Sequence, residues 1–297
     1  MRLSECLETF ILEQNLKGNT PITIRNYTEY ITRFIEWLGD KPINTLNIKN
    51  FNDYHIYLRN TRKIKDVTIK TYLSHIATFI RFCEANYNVK GISDRIILPH
   101  VEKPIIDVLR REEIEVLLNS FSKRSLNGIR NYCICVLRLD CGLRLNEVVN
   151  LKISDVYIEK GYIKVYGKGR KERFIPIYNN TKKALLKYII KRKCKDIKCD
   201  TFFLNKEMKP IQREGIKSLF ARLKRRTGIA RLHPHLLRHT YATNYLLYGY
   251  GDVYTLSLLM GHTDVKTTMK YVQIANFYKI MENQSVNRSY LDNNFYK

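Results

Sequence analysis

No run of apolar residues in this 297-residue chain approaches a membrane span. The longest clean one, Tyr132–Leu137, falls far short of the ~20 residues a spanning helix requires. The opening MRLSECLETF carries acidic side chains where a secretory signal would hold its apolar stretch. Seven cysteines, at 6, 83, 133, 135, 141, 194 and 199, are odd in number and scattered, so they outline no disulfide framework. Cys194 and Cys199 flank KDIK with no second Cys/His pair nearby at zinc-site spacing. No internal repeat or low-complexity tract stands out. These absences argue against a membrane-spanning, secreted or zinc-ribbon protein, and the expectation is a cytoplasmic one with reduced, structural thiols. Acidic residues are also scarce. Only 28 Asp+Glu oppose 52 Lys+Arg, a net charge of +24, which favours a polyanionic partner, either nucleic acid or an anionic membrane surface.

A hydrophobic content of 44% is normal for a folded protein, and the length suits two domains. Residues 1–86 read as a helical domain of four amphipathic helices. Their stripes are Leu3, Leu7, Phe10 and Ile11; then Tyr27, Ile31, Phe34, Ile35 and Leu38; then Phe51, Tyr54 and Leu58; then Ile69, Leu73, Ile76, Phe79 and Ile80. Asp66 is the expected N-cap of the fourth. Its other face offers Lys70, Ser74, His75 and Arg81 to phosphates and groove edges, although a merely solvated face has the same composition. From 87 to 108 the periodicity fades and Pro99 and Pro104 appear, as in an interdomain connector. Residues 109–297 then form a second domain. Helices are expected from Arg111 and over about 126–140, 181–193, 213–227, 235–248 and 253–260. Alternating Ile, Val and Tyr predict strands at Val156–Ile158, Tyr162–Tyr166 and Arg173–Ile177.

Within this second domain, anion-clamping side chains recur: Arg144 in CGLRLNEV, Lys168 in GKGRKER, His235 and Arg238 in HPHLLRH, and His262 in LLMGH. Arginine stays protonated, and its planar fork binds two phosphate oxygens at once. Arg238 lies three residues after His235, so both project from one helix face. His235 and His239 also have the spacing of a zinc-peptidase pair, but Leu236 holds the position of the required glutamate. Arg238 between them would repel a divalent cation and attract an anion, so phosphate is the preferred reading and His239 is left to pack or bond locally. Lys168 falls at the tip of a glycine-flanked hairpin, where Arg170, Lys171 and Arg173 would suit contacts to a DNA backbone. Among 21 tyrosines, spacing singles out Tyr271, nine residues after His262 and preceded by TDVKTTMK, which reads as a turn and a short helix.

In order and spacing, these motifs resemble the tyrosine recombinases, the lambda-integrase-like and Xer-like enzymes, over nearly the whole chain. That family carries an arginine in GLR-x-x-E, a hairpin lysine in G-K-G, then H-x-L-R-H, L-x-G-H and a tyrosine nine residues on. GLRLNE, GKG, HLLRH, LMGH and Tyr271 answer them here, with Gln273 where many Xer-like members carry a histidine. The resemblance implies a mainly α fold with a small antiparallel β-sheet. An α-helical, SAM-like core-binding domain would precede a mixed α+β catalytic domain. It also implies metal-free, cofactor-free transesterification. Tyr271 attacks the scissile phosphate to give a 3′-phosphotyrosyl link, and strands exchange through a Holliday junction. Arg144, Arg238 and His262 hold the oxygens, His235 is a hydrogen-bond donor or proton acceptor, Lys168 protonates the leaving oxygen, and Glu147 orients from behind.

The implied partners are double-stranded DNA recombination sites beside the nucleoid and three further copies of the chain, a tetramer on two duplexes. An accessory DNA-bending or directionality protein is a further candidate. Ile274, Phe277, Tyr278 and Met281 form a stripe that would dock either on its own domain or on a neighbouring protomer. Two rivals share the motifs: a type IB topoisomerase, which reseals the same strand, and a catalytically silent DNA-binding regulator.

Overall fold

The structure, a computed structural model, describes residues 1–87, 89, 91–102, 106–167, 171–193 and 199–284. The chain divides into two compact units, Met1–Pro104 and Ile105–Lys297.

Four helices build the first unit: α1 (Leu3–Leu16), α2 (Pro21–Leu38), α3 (Ile48–Asn60) and α4 (Asp66–Asn86). Local chemistry sets their ends. The Thr20 hydroxyl accepts from the Thr23 amide, Pro21 occupies the first turn of α2, and Gly39 ends it. The apolar stripes converge, and Leu3, Phe10, Phe34, Phe51, Ile69, Leu73, Ile76 and Phe79 are fully buried. Phe10 sits edge-on to Tyr27, Phe79 and Phe82, with centroids 5.1, 5.6 and 5.3 Å away. Asp66 departs from its expected capping role. It is the first helical residue of α4, Lys65 holds the cap position, and the Asp66 carboxylate accepts from Arg59 Nη2 at 2.9 Å. Near a helix N-terminus the negative charge is favourable, but here it is committed to a neighbouring arginine instead of the backbone.

The second unit contains α5 (Arg111–Asn119), α6 (Leu126–Asp140), α7 (Leu145–Asn150), β1 (Val156–Tyr157), β2 (Tyr162–Tyr166), β3 (Glu172–Pro176), α8 (Asn179–Lys193), α9 (Arg213–Thr227), α10 (Pro234–Leu247), α11 (Val253–Met260) and α12 (Lys266–Gln284). The three strands form one antiparallel sheet in sequence order, with Ile163 opposite Ile175 on its buried face and Tyr166 opposite Glu172 next to the turn. The mainly helical fold with a small sheet agrees with the periodicity and with the resemblance. Lys168 and Arg170, expected at the tip of a hairpin, lie outside the described residues.

Helix α6 packs against α8 and α10 and runs through the core. Cys133, Ile134, Cys135 and Leu137 are fully enclosed, and burial pushes the Cys135 thiol up to about 12. Arg138 on the same helix has no exposed surface, and its guanidinium binds the carbonyls of Pro234 and Leu143. It therefore ties the first residue of α10 to the segment leading into α7, the two places from which the site below is built. Helix α12 is 19 residues long, where the sequence pattern pointed to a turn and a short helix before Tyr271. No helix among the described residues is long and apolar enough to cross a membrane.

Candidate active site

The end of α11 organises the site. Gly261 follows it at φ +63°, a left-handed conformation that stops the helix and leaves its last carbonyls without intrahelical partners. Three arginines take those carbonyls in succession. Arg173 Nε donates to Leu259 O at 2.8 Å, Arg238 Nη2 to Met260 O at 2.8 Å, and Arg144 Nη2 to Gly261 O at 2.6 Å. The negative end of the helix dipole favours cations at this position. A Cβ on Gly261 would lie 2.8 Å from Arg173 Nη1 and 3.0 Å from Arg144 Nη1. Both obstacles are the far ends of flexible side chains, but alanine is itself strained at this left-handed φ, so Gly261→Ala should lose about 1–2 kcal/mol of stability as well as move both guanidiniums. A displacement of about 1 Å costs roughly 10²-fold in rate. DNA cleavage, measured where the variant remains folded, is therefore expected to fall by that order, with only a modest drop in the urea midpoint.

Glu147, on α7, locks two of the arginines. Its Oε1 accepts from Arg144 Nη1 at 3.0 Å and from Arg173 Nη1 at 2.8 Å. Its Oε2 accepts from Arg173 Nη2 at 2.9 Å and from the Arg144 backbone amide at 2.7 Å. Burial pushes the Glu147 carboxyl up, yet the Arg173 and Arg144 contacts outweigh it and hold the group below the usual range. Glu147, expected to orient from behind, thus holds the side chains of Arg144 and Arg173. Arg173 is different. It was expected among DNA-backbone contacts of the hairpin, but the alternation of β3 turns it inward and its side chain is only 12% exposed. Lys171, beside it in sequence, is exposed.

Helix α10 supplies the opposite wall. His235, Arg238 and His239 share one face, at i, i+3 and i+4. Arg238 is buried, and Nη1 reaches Gly142 O at 2.5 Å while Nη2 also meets His262 Nε2 at 3.2 Å. Gly142 is required there. It adopts φ +61°, and a Cβ would strike the Tyr241 ring at 2.3 Å. Because arginine only donates, His262 Nε2 accepts, so the ring carries its proton on Nδ1 and donates it to Thr268 Oγ1 at 2.7 Å. His235 keeps an exposed edge. Its pKa is lowered by partial burial and then by the charges of Arg138 and Arg238. His235 and His239 rings stand 6.3 Å apart, and among the described residues no cluster of three His, Cys, Asp or Glu side chains gathers in metal-binding fashion.

Tyr271 projects from the second turn of α12 and is 1% exposed. Its hydroxyl lies 2.8 Å from His239 Nδ1, and Lys270 Nζ is 5.0 Å from its ring centroid. Burial raises the Tyr271 hydroxyl to about 12, while Arg238 and Arg144 pull it the other way. Burial and the charges of Arg238 and Arg144 bring His262 down to about 4. Arg238 itself is lowered to about 9, by burial and by Arg144, and remains charged at neutral pH. Lys270 is lowered by burial and by Arg238. Among the described residues, Arg144 and Arg173 share the Glu147 carboxylate while Arg238 and Lys270 add further positive charge, so the site favours an anion.

Five sequence-derived residues, Arg144, His235, Arg238, His262 and Tyr271, are therefore brought into one pocket with Glu147 behind it. Sequence reasoning missed the pocket roles of Arg173, Lys270 and Thr268, and the contact of His239 with Tyr271. The signal for His239 was its helical spacing: it follows His235 by four residues and so faces the same way.

In the first unit, Lys70 and Ser74 are half-buried on α4, and the Ser74 hydroxyl donates back to the Lys70 carbonyl at 2.7 Å. His75 Nδ1 meets the Thr71 carbonyl at 2.7 Å, and its ring lies edge-on to Tyr27 and Tyr30. Arg81 is exposed.

A mainly helical unit with a small sheet, holding a buried tyrosine beside clustered arginines, defines an enzyme that breaks and rejoins DNA through tyrosine. The chain belongs to the phage integrase family, the tyrosine-type site-specific DNA recombinases: residues 107–276 match that family and residues 6–69 match its N-terminal SAM-like domain. Over 275 residues it is 28% identical to the tyrosine recombinase XerC of Staphylococcus epidermidis, covering 91% of this chain and 92% of that protein. The Tn1549 transposon integrase in complex with transposon right end DNA is similar in fold, with a TM-score of 0.74 at 16% identity, over 96% of this chain and 99% of that one. The XerH site-specific recombinase bound to palindromic difH substrate, a post-cleavage complex, has a TM-score of 0.72 at 20% identity, over 94% of this chain and 83% of that one.

Proposed function

We propose that the pocket around Tyr271 holds one scissile DNA phosphate and that the chain exchanges strands between two duplexes in the cytoplasm. The observation that carries this reading is the cluster of uncompensated cations around a tyrosine hydroxyl. A phosphodiester brings the missing negative charge, and its non-bridging oxygens gain more as the transition state forms. Arg144 and Arg238 each keep guanidinium N–H groups beyond those bound to carbonyls and to Glu147, and these face the oxygens. His262 joins them by donating from Nε2. The phosphate's charge favours the extra proton this requires.

Tyr271 attacks phosphorus and expels the 5′-oxygen, which takes its proton from Lys168. The phosphate stays on the tyrosine as a 3′-ester, so no energy-rich cofactor is needed, and the 5′-hydroxyl of a second strand reverses the step. His235 serves as hydrogen-bond donor or proton acceptor. Strand exchange through a Holliday junction requires four protomers. Phe277, Ile280 and Met281 on α12 are exposed while Ile274 is half-buried and Ala275 buried, which supports docking of the outer half of this helix on a neighbour. Lys70, Arg81 and Lys171 contribute backbone contacts, and an accessory DNA-bending or directionality protein completes the assembly. The biological task is integration and excision of a mobile element or resolution of joined chromosomes.

Sequencing of the DNA captured covalently by purified protein tests this reading. It predicts one recurrent site and exchange between two duplexes that carry it. Relaxation of supercoils at scattered sites, without exchange, would identify a topoisomerase instead.

A further inference from the structure

Two histidines on α10 could receive the proton that Tyr271 releases, and it is His239 that is hydrogen-bonded to its hydroxyl. His239 Nδ1 is 2.8 Å from the Tyr271 oxygen, a normal hydrogen-bond length, and the two rings are tilted at 43° with centroids 5.7 Å apart. His235 lies one turn earlier on the same face, with an exposed edge turned towards solvent. We propose that His239 is a catalytic residue: its Nδ1 takes the proton from Tyr271 as the hydroxyl attacks phosphorus, which leaves His235 to act as a hydrogen-bond donor to the phosphate. This inference rests on Tyr271 being the nucleophile.

The step balances. The Tyr271 O–H bond breaks and its proton moves to His239 Nδ1, giving an imidazolium. The Tyr271 oxygen bonds to phosphorus, the bond from phosphorus to the 5′-oxygen breaks, and Lys168 protonates that oxygen. In the reverse reaction the incoming 5′-hydroxyl returns a proton to Lys168, and the departing tyrosine recovers its own from His239. Geometry favours His239 because a general base must lie within hydrogen-bond reach of the proton it removes. The charge environment ensures that the base is free. Burial, then the charge of Lys270 on α12, then His235, His233 and Arg238 on α10 and its leading edge, keep the ring unprotonated at neutral pH. The same environment keeps the proton on Tyr271 in the unliganded molecule, since burial disfavours the phenolate. An entering phosphate lowers the local positive potential and so makes His239 a better acceptor at the moment of attack.

The test uses the full chain on its captured DNA site, with His239→Ala and His239→Gln. The glutamine variant retains a polar side chain of similar reach and guards against misfolding. Single-turnover cleavage at neutral pH should fall by about 10²–10⁴-fold in both. DNA affinity should stay within about twofold, and the remaining rate should climb about tenfold per pH unit as solvent base takes over. Added imidazole should restore part of the His239→Ala rate. A DNA strand with sulfur in place of the 5′-bridging oxygen separates the two proton transfers. Its leaving group needs no proton, so it should rescue Lys168→Ala and leave His239→Gln slow. A loss that is independent of pH, unaffected by imidazole and equal on both substrates would reduce His239 to a packing role. If Tyr271→Phe still captured DNA, the underlying assignment of the nucleophile would fail, whatever His239 did.

Discussion

Arg238→Ala is expected to lower covalent DNA cleavage by about 10³–10⁵-fold, the range seen when an arginine that stabilises phosphoryl-transfer charge is removed. Arg238 is the most central of the clustered cations. It reaches Gly142 O on the segment before α7, Met260 O at the end of α11 and the His262 ring. Its loss removes a bidentate donor and also abandons two buried carbonyls, each costing about 1–3 kcal/mol when left unpaired. The alanine variant should therefore be less stable as well as slow. Arg238→Lys separates these effects. It retains a charge but has no planar fork, so it should remain about 10²-fold slow or worse while recovering stability. Rapid-quench cleavage and a denaturant melt on the same preparations measure both. An Arg238→Lys protein with normal cleavage would show that only charge is needed.

Tyr271→Phe is expected to abolish covalent capture altogether while leaving DNA affinity close to normal. The substitution removes one oxygen from a side chain that is 1% exposed, so no space opens and the ring packing of α12 on α10 survives. The cost to folding is confined to the lost bond with His239, about 1 kcal/mol. The variant should bind its site as tightly as the parent in a mobility-shift assay. Residual covalent product would point to another tyrosine.

Much of this arrangement was legible before the fold. The stripes of α1 to α4 and the alternation of β2 and β3 follow from burial of one face, which leaves a period in the sequence. Family membership followed from GLRLNE, HLLRH, LMGH and Tyr271, because each motif carries its own spacing. What escaped were contacts between segments distant in sequence. Arg173 read as a hairpin cation because its partners, Glu147 and Leu259, lie 26 and 86 residues away. His239 was weighed as half of a metal pair with His235, while its real neighbour is 32 residues further on. Asp66 read as a cap because its type suits that position, but capping is decided by where the side chain finds its partner. The three carbonyls that hold the arginines could not be read at all, since backbone acceptors have no residue type. Only Gly261, a helix-stopping glycine before His262, hinted that they would be exposed.

The central claim is that Tyr271 becomes joined to a 3′-phosphate within this cluster of cations. Digestion of the trapped protein–DNA adduct, followed by mass spectrometry of the modified peptide, tests it most directly. The expected product is a nucleotide linked through its 3′-phosphate to the peptide containing Tyr271. A nucleotide on any of the other tyrosines, or one attached through a 5′-phosphate, would contradict the account.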